Sequence, residues 1–150
     1  MATALVSLLV QVIFSTKNRA DLITPEIEPG LYDYLGGIAK NHKSRLLAAN
    51  GTANHSHLLI SLGKTIALSE LIAEIKRDSS KWVKEQGRDF RDFYWQEGYG
   101  AFSLGQSQVP TVKKYIAEQK VKHQTRTFEH EFIGFLEKYE VEYDERYVWD

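Results

Sequence analysis

The sequence predicts an α+β fold: one antiparallel sheet in the order β-α-β-β-α-β, followed by two further helices. Three observations carry that expectation. Short runs rich in β-branched, aliphatic and aromatic residues alternate with longer stretches of helical apolar spacing. The dipeptide Asn50-Gly51, the strongest short hairpin signal, separates two of those runs. After the last run two helical patterns follow with no strand between them.

Each element has its own warrant. Leu5 to Ser15 reads as a first, buried strand, dominated by Leu, Val, Ile and Phe. Between Pro25 and Asn41, Leu31, Leu35 and Ile38 stand near helical spacing, although Gly36-Gly37 weakens that helix. Arg45 to Ala49 and His55 to Ser61 read as a hairpin turning at Asn50-Gly51. The second helix runs from about Ser69 to Gln86, with Leu71, Ile72, Ile75, Trp82 and Val83 on its core face. Gly100 to Leu104 reads as strand four. The third helix begins near Pro110, a favoured first helical position, and continues to about Lys122, burying Val109, Val112 and Ile116. The fourth runs from a Thr127 cap to Tyr139. The first six elements are the ferredoxin-like pattern, with helices on one face of the sheet. The other face then needs cover, from the last helices or from a second subunit.

Length and composition bound the answer. At 150 residues and 17.2 kDa the chain is one domain, 1–150, large enough for a true core. Hydrophobic content of 43% excludes a disordered chain. The absence of cysteine excludes disulfides and thiolate metal sites, and fits a cytoplasmic protein. The apolar stretch Ala4–Phe14 is too short to span a membrane and lacks the basic start of a signal peptide. A net charge of −1 excludes a protein that coats DNA by bulk charge. That charge is unevenly spread. Residues 127–150 hold eight acidic and two basic side chains, leaving 17 basic and 12 acidic before them, so a local basic groove is open to the body of the chain.

The chemistry concentrates at two places. His55 and His57 sit two apart in a strand, so both project from one face while Ser56 projects from the other. Two imidazoles on one rigid face make most of a metal site. Tyr115 and Gln119 lie four apart in a helix and share a face, offering a nucleophile and an amide oxygen as a third ligand. Each pattern taken alone has an ordinary reading: histidines facing solvent or a polar pocket, and a surface tyrosine and glutamine. Lys17, Arg19, Lys76, Arg77, Lys81 and Lys84 are candidate phosphate contacts, with solvated helix faces as the alternative. Trp95 and Tyr99 could stack on bases, but core positions suit them better. His123 reads as a surface residue or one behind the ligands rather than a ligand.

In order along nearly the whole chain stand Ser15-Thr16-Lys17-Asn18-Arg19, Asn54-His55-Ser56-His57-Leu58-Leu59, Ile75-Lys76 to Trp82, Trp95-Gln96-Glu97-Gly98-Tyr99-Gly100-Ala101-Phe102-Ser103, Tyr115-Ile116 with Gln119 and His123, and Tyr143-Asp144-Glu145-Arg146-Tyr147. Together these resemble the small single-tyrosine HUH transposases of bacterial and archaeal insertion sequences, a group that includes the REP-associated tyrosine transposases. The resemblance implies that His55, His57 and Gln119 ligate a divalent metal, Mg²⁺ or Mn²⁺, and that Tyr115 is the nucleophile. It implies cleavage and rejoining of single-stranded DNA through a 5′-phosphotyrosine, and recognition of hairpins near the element's ends. It also implies a homodimer in which the tyrosine helix of one subunit serves the histidines of the other. Gly105, in the short connection before the third helix, is a hinge that permits docking on either sheet. One residue departs from the pattern. The position between the histidines is usually large and apolar, and Ser56 there predicts a small packing loss on the opposite face. A hairpin-binding protein without activity and a His-x-His metallohydrolase independent of Tyr115 are the competing readings.

Overall fold

A computed structural model describes residues 3–150 of the chain. Its strands are β1 (Leu9–Ser15), β2 (Arg45–Thr52), β3 (His55–Ser61) and β4 (Gly100–Leu104). Its helices are α1 (Glu28–Asn41), α2 (Leu68–Lys84), α3 (Val109–Ala117), α4 (Gln119–Lys122) and α5 (Phe128–Lys138). The strands lie in the order β2-β3-β1-β4, all neighbours antiparallel, which is the expected ferredoxin-like topology. β3 is therefore an interior strand, paired along both edges.

Alternation along the strands splits the core into two layers. Val12, Phe14, Leu58 and Ile60 face α1 and α2, joining Leu31, Leu35, Leu71, Ile72 and Ile75 in the larger cluster. Leu9, Ile13, Leu59 and Phe102 face the other way. Val109 and Ile116 of α3 cover one part of that second face, and Phe128, Phe132 and Leu136 of α5 cover another. The last helices thus close the face that the sequence left open. Gly100 seats α5: a methyl group there would stand 2.6 Å from the Phe132 ring.

Three expectations need correction. β1 starts at Leu9 rather than Leu5, and Leu5, Val6 and Leu8 are exposed, because no strand pairs with them. The third helix is two, broken at Glu118 (φ −95°, ψ 12°). The hairpin turns at Ala53-Asn54, and Asn50-Gly51 lies within β2, paired with His57 and Ser56. Gly51 serves a close crossing instead of a turn. A methyl group there would collide with the His55 carbonyl oxygen and stand 2.9 Å from Ser56 Cα. Ser56 is fully buried, and its hydroxyl lies 2.9 Å from that of Tyr32 on α1, so a hydrogen bond fills the place of an apolar side chain.

Candidate metal centre and nucleophile

His55 and His57 occupy the interior strand and are fully buried, their ring centroids 5.3 Å apart. His55, Ser56 and His57 are each paired with β1 on one side and β2 on the other, so the imidazoles stand on a rigid base.

α3 is placed against that base by β2. The Asn50 side chain donates to the carbonyl oxygens of Ile116 (3.1 Å) and Ala117 (3.2 Å), which the helix end would otherwise leave unpaired. Lys120, just beyond, donates to Asn50 Oδ1 (2.8 Å) and to Glu28 (2.7 Å). Asn-Gly here is a helix clamp and a strand crossing. Tyr115 lies beside its own chain's His57, ring centroids 5.8 Å apart. Within the single chain, Tyr115 thus stands beside that chain's own histidines, on a helix whose end Asn50 holds. The break at Glu118 turns Gln119 inward. It is fully buried, and its Oε1 lies 3.2 Å from His55 Nε2. The four residues singled out from sequence thus converge.

Two further residues complete the cluster. His123 follows α4, and Glu131 sits on α5 with no exposure at all. Glu131 Oε1 lies 2.9 Å from His57 Nε2, 3.0 Å from His123 Nε2 and 3.6 Å from His55 Nε2. Its Oε2 accepts from the Tyr115 hydroxyl and from Gln119 Nε2 (3.2 Å). The sequence carried a signal for it. Glu131 falls inside the apolar stripe of Phe128, Phe132 and Phe135, where a lone carboxylate needs a polar partner. Thr127 caps α5 through His130 N and fixes its register.

The hydrogen bonds assign protons. Thr52 donates to Asn54 Oδ1, so His55 Nδ1, facing both, must be the donor (2.8 Å to Asn54). His55 Nε2 then carries a lone pair, yet it faces Gln119 Oε1 and Glu131 Oε1. Lone pairs converging on one point mark a place for a cation. Burial, together with His57 and His123, pushes the His55 pKa down to about 3, which keeps that lone pair free at neutral pH. Burial alone would raise the Glu131 carboxyl, but the bond from His57 and the charges around it hold it far below the usual carboxylate range. Tyr115 is pushed well above its ordinary value by burial and by donating to Glu131. Ligand atoms of His55, His57, His123 and Glu131 all lie within 4.8 Å of one another. Ligands ~2.1 Å from a shared ion stand ~3.0–3.4 Å apart when adjacent; Glu131 Oε1 lies near that spacing from His57 and His123, so the donor set suits a divalent metal once drawn in around it.

Two clefts reach the cluster. One runs beside the hairpin turn, lined by Asn54, His123, Lys120 and Arg126; the other opens on Tyr115 between α3 and α5. The predicted phosphate contacts lie elsewhere. Arg77, Lys81 and Lys84 line a groove along α2 with Arg91 and the exposed Tyr94, two residues the sequence reading did not select. Lys84 Nζ stands 3.8 Å from the Tyr94 ring centroid. Lys17 also flanks Tyr94, and Arg19 pairs with Glu129 at 3.5 Å. Lys76 does not fit a phosphate contact. Its ammonium donates to the carbonyls of Gln96, Glu97 and Gly98, and burial pushes its pKa down to about 8. Trp95 is core, its indole donating to Ser79 Oγ (2.9 Å), and Tyr99 is half-buried against the same cluster.

Comparison with known proteins places this architecture. The sequence model of the family described as "Transposase IS200 like" matches residues 4–119. A candidate transposase of Deinococcus radiodurans R1 superposes with a TM-score of 0.62 at 19% identity, covering 79% of this chain and 95% of its own. A REP-associated tyrosine transposase bound to a REP hairpin superposes with a TM-score of 0.61 at 14% identity, covering 82% of this chain and 73% of its own. No curated protein matches the sequence significantly. No helix among the described residues is long and apolar enough to cross a membrane.

Proposed function

The chain belongs to the family of IS200-like transposases, and on that premise we propose that it cleaves and rejoins single-stranded DNA through a covalent bond to Tyr115, with a divalent metal held by the buried histidines. The observation that carries this reading is the meeting of Tyr115 with His55, His57 and Gln119 in one buried cluster. Tyr115 Oη attacks the scissile phosphorus; a P–O bond forms to tyrosine, the P–O3′ bond breaks, and the 3′-oxygen leaves and takes up a proton. The metal, Mg²⁺ or Mn²⁺, supplies Lewis acidity toward the phosphate. His55 and His57 hold their positions because an interior strand fixes them. The phosphotyrosine conserves the bond, so a second 3′-hydroxyl reverses the step without an outside energy source. A hydrolase would use water in place of that 3′-hydroxyl and lose the option of rejoining.

The hairpin on the related transposase supports a hairpin-bearing single strand as substrate. Arg77, Lys81 and Lys84, with Lys17 and Arg19, are the phosphate-binding side chains of this reading. A homodimer with active sites shared between subunits remains part of the proposal. The test is covalent capture. Labelled single-stranded DNA carrying an end hairpin should give a denaturant-resistant adduct with the wild type, none with Tyr115→Phe, and none in chelator until Mg²⁺ or Mn²⁺ returns. An adduct in Tyr115→Phe refutes the nucleophile. Hairpin binding without any wild-type adduct would favour the inactive binding protein.

A further inference from the structure

Glu131 lies outside the stretch that matches the family, on a helix that only the C-terminal part of the chain supplies. It is nevertheless the side chain through which the cluster is connected. One oxygen faces three imidazole nitrogens at 2.9, 3.0 and 3.6 Å. The other accepts from the Tyr115 hydroxyl and from the Gln119 amide. We propose that Glu131 joins the metal centre to the nucleophile, ligating the ion through Oε1 and positioning the Tyr115 hydroxyl through Oε2.

Three physical points support the assignment. One carboxylate oxygen faces the Nε2 atoms of three imidazoles, and the ligand atoms of all four side chains lie within 4.8 Å of one another, which is the donor chemistry of a divalent-metal site. A carboxylate is also a harder and stronger ligand for Mg²⁺ or Mn²⁺ than the neutral amide of Gln119. As placed, Gln119 spends its amide N–H on Glu131 and turns only its oxygen to His55, so it braces the carboxylate as well as facing the ion. Finally, the two oxygens of one planar group stand at a fixed separation. Holding Tyr115 by the second oxygen sets the distance between attacking oxygen and metal without any further residue.

The inference rests on the proposed function for its Tyr115 half, while its metal half is read without DNA. Binding of Mn²⁺ to the full chain is followed by the electron paramagnetic resonance of free Mn²⁺, for wild type, Glu131→Gln, Gln119→Ala and Tyr115→Phe. Glu131→Gln should weaken Mn²⁺ by about 10- to 100-fold, the range seen even for residues that only support ligands. Tyr115→Phe should bind as the wild type does, and Gln119→Ala should lose less than Glu131→Gln. At saturating Mn²⁺, single-turnover adduct formation by Glu131→Gln should slow by about 100-fold with DNA affinity unchanged, the cost of a nucleophile out of place. Because a buried substitution can disturb the fold, the double variant Gln119→Glu/Glu131→Gln returns a carboxylate to the same space and should recover Mn²⁺ affinity. Wild-type Mn²⁺ affinity in Glu131→Gln, or no recovery in a folded double variant, overturns the ligand; a wild-type adduct rate at saturating Mn²⁺ overturns the positioning. If the wild type forms no adduct, the proposed function fails while the Mn²⁺ measurement still decides whether Glu131 is a ligand.

Discussion

Acid should begin to destabilise this protein through His55 as the pH falls below the ordinary imidazole value. His55 is fully buried with a pKa near 3, against an ordinary value of about 6.5 in the unfolded chain. A group held below its unfolded value favours the fold while both states are neutral, and that advantage is lost as pH falls from about 6.5 toward 3. Lowering the pH from about 8 to about 5 protonates His55 almost completely in the unfolded chain and hardly at all in the folded one. Five lies about one and a half pH units below the unfolded value, and each unit is worth about 1.4 kcal/mol, so His55 alone should cost the fold about 2 kcal/mol. Urea denaturation in chelator at the two pH values measures the loss, and His55→Gln is the comparison. The wild type should lose about 2 kcal/mol more than the variant across the interval. Equal losses would show that His55 titrates normally in the fold, and the lone-pair argument for the cation site would fall with it.

Other expectations follow from single contacts. Asn50→Ala leaves the last carbonyls of α3 without a donor and should cost about 1–3 kcal/mol by thermal denaturation; no change would mean that solvent serves them equally well. Ser56→Val strips the buried Tyr32 hydroxyl of its partner and should destabilise by about 1–3 kcal/mol, an effect that Tyr32→Phe relieves in the double variant. Additive costs in that cycle would contradict the pairing. Lys76→Met should lower the melting temperature by freeing the Gln96–Gly98 carbonyls, with little effect on DNA affinity, whereas Lys84→Ala should weaken DNA and spare stability. The reverse pattern would return Lys76 to the DNA surface.

Periodicity was enough to read the topology, because β1, β3, α1 and α2 carry their apolar residues at the spacing of the element that buries them. It was also enough for His55 and His57, since a two-residue step in a strand decides facing outright. Asn50-Gly51 misled because the residues that make a tight turn are also those that tolerate a close crossing and reach helix carbonyls. Leu5–Leu8 misled because composition records a wish for burial without saying whether a neighbouring strand is long enough to grant it. Glu131 escaped notice since its partners lie 74 and 16 residues away along the chain, at His57 and Tyr115. Only the docking of α5 creates that neighbourhood, and local spacing does not encode it.

The ion pairs on the surface bear on how salt will act on DNA binding. A cation contributes to salt dependence only by releasing a condensed counterion from phosphate, at a slope of about −0.7 per contact for single strands. Arg19 already leans on Glu129, and Arg77 on Glu74 and Asp78. Exchanging a carboxylate for a phosphate leaves the arginine as neutralised as before and frees a carboxylate that draws its own ions back. Glu129, Glu74 and Asp78 therefore act as resident counterions. The logarithmic slope of affinity against salt will count fewer phosphates than the strand touches, and the protein will hold DNA over a wider range of ionic strength than its lysines and arginines alone would allow.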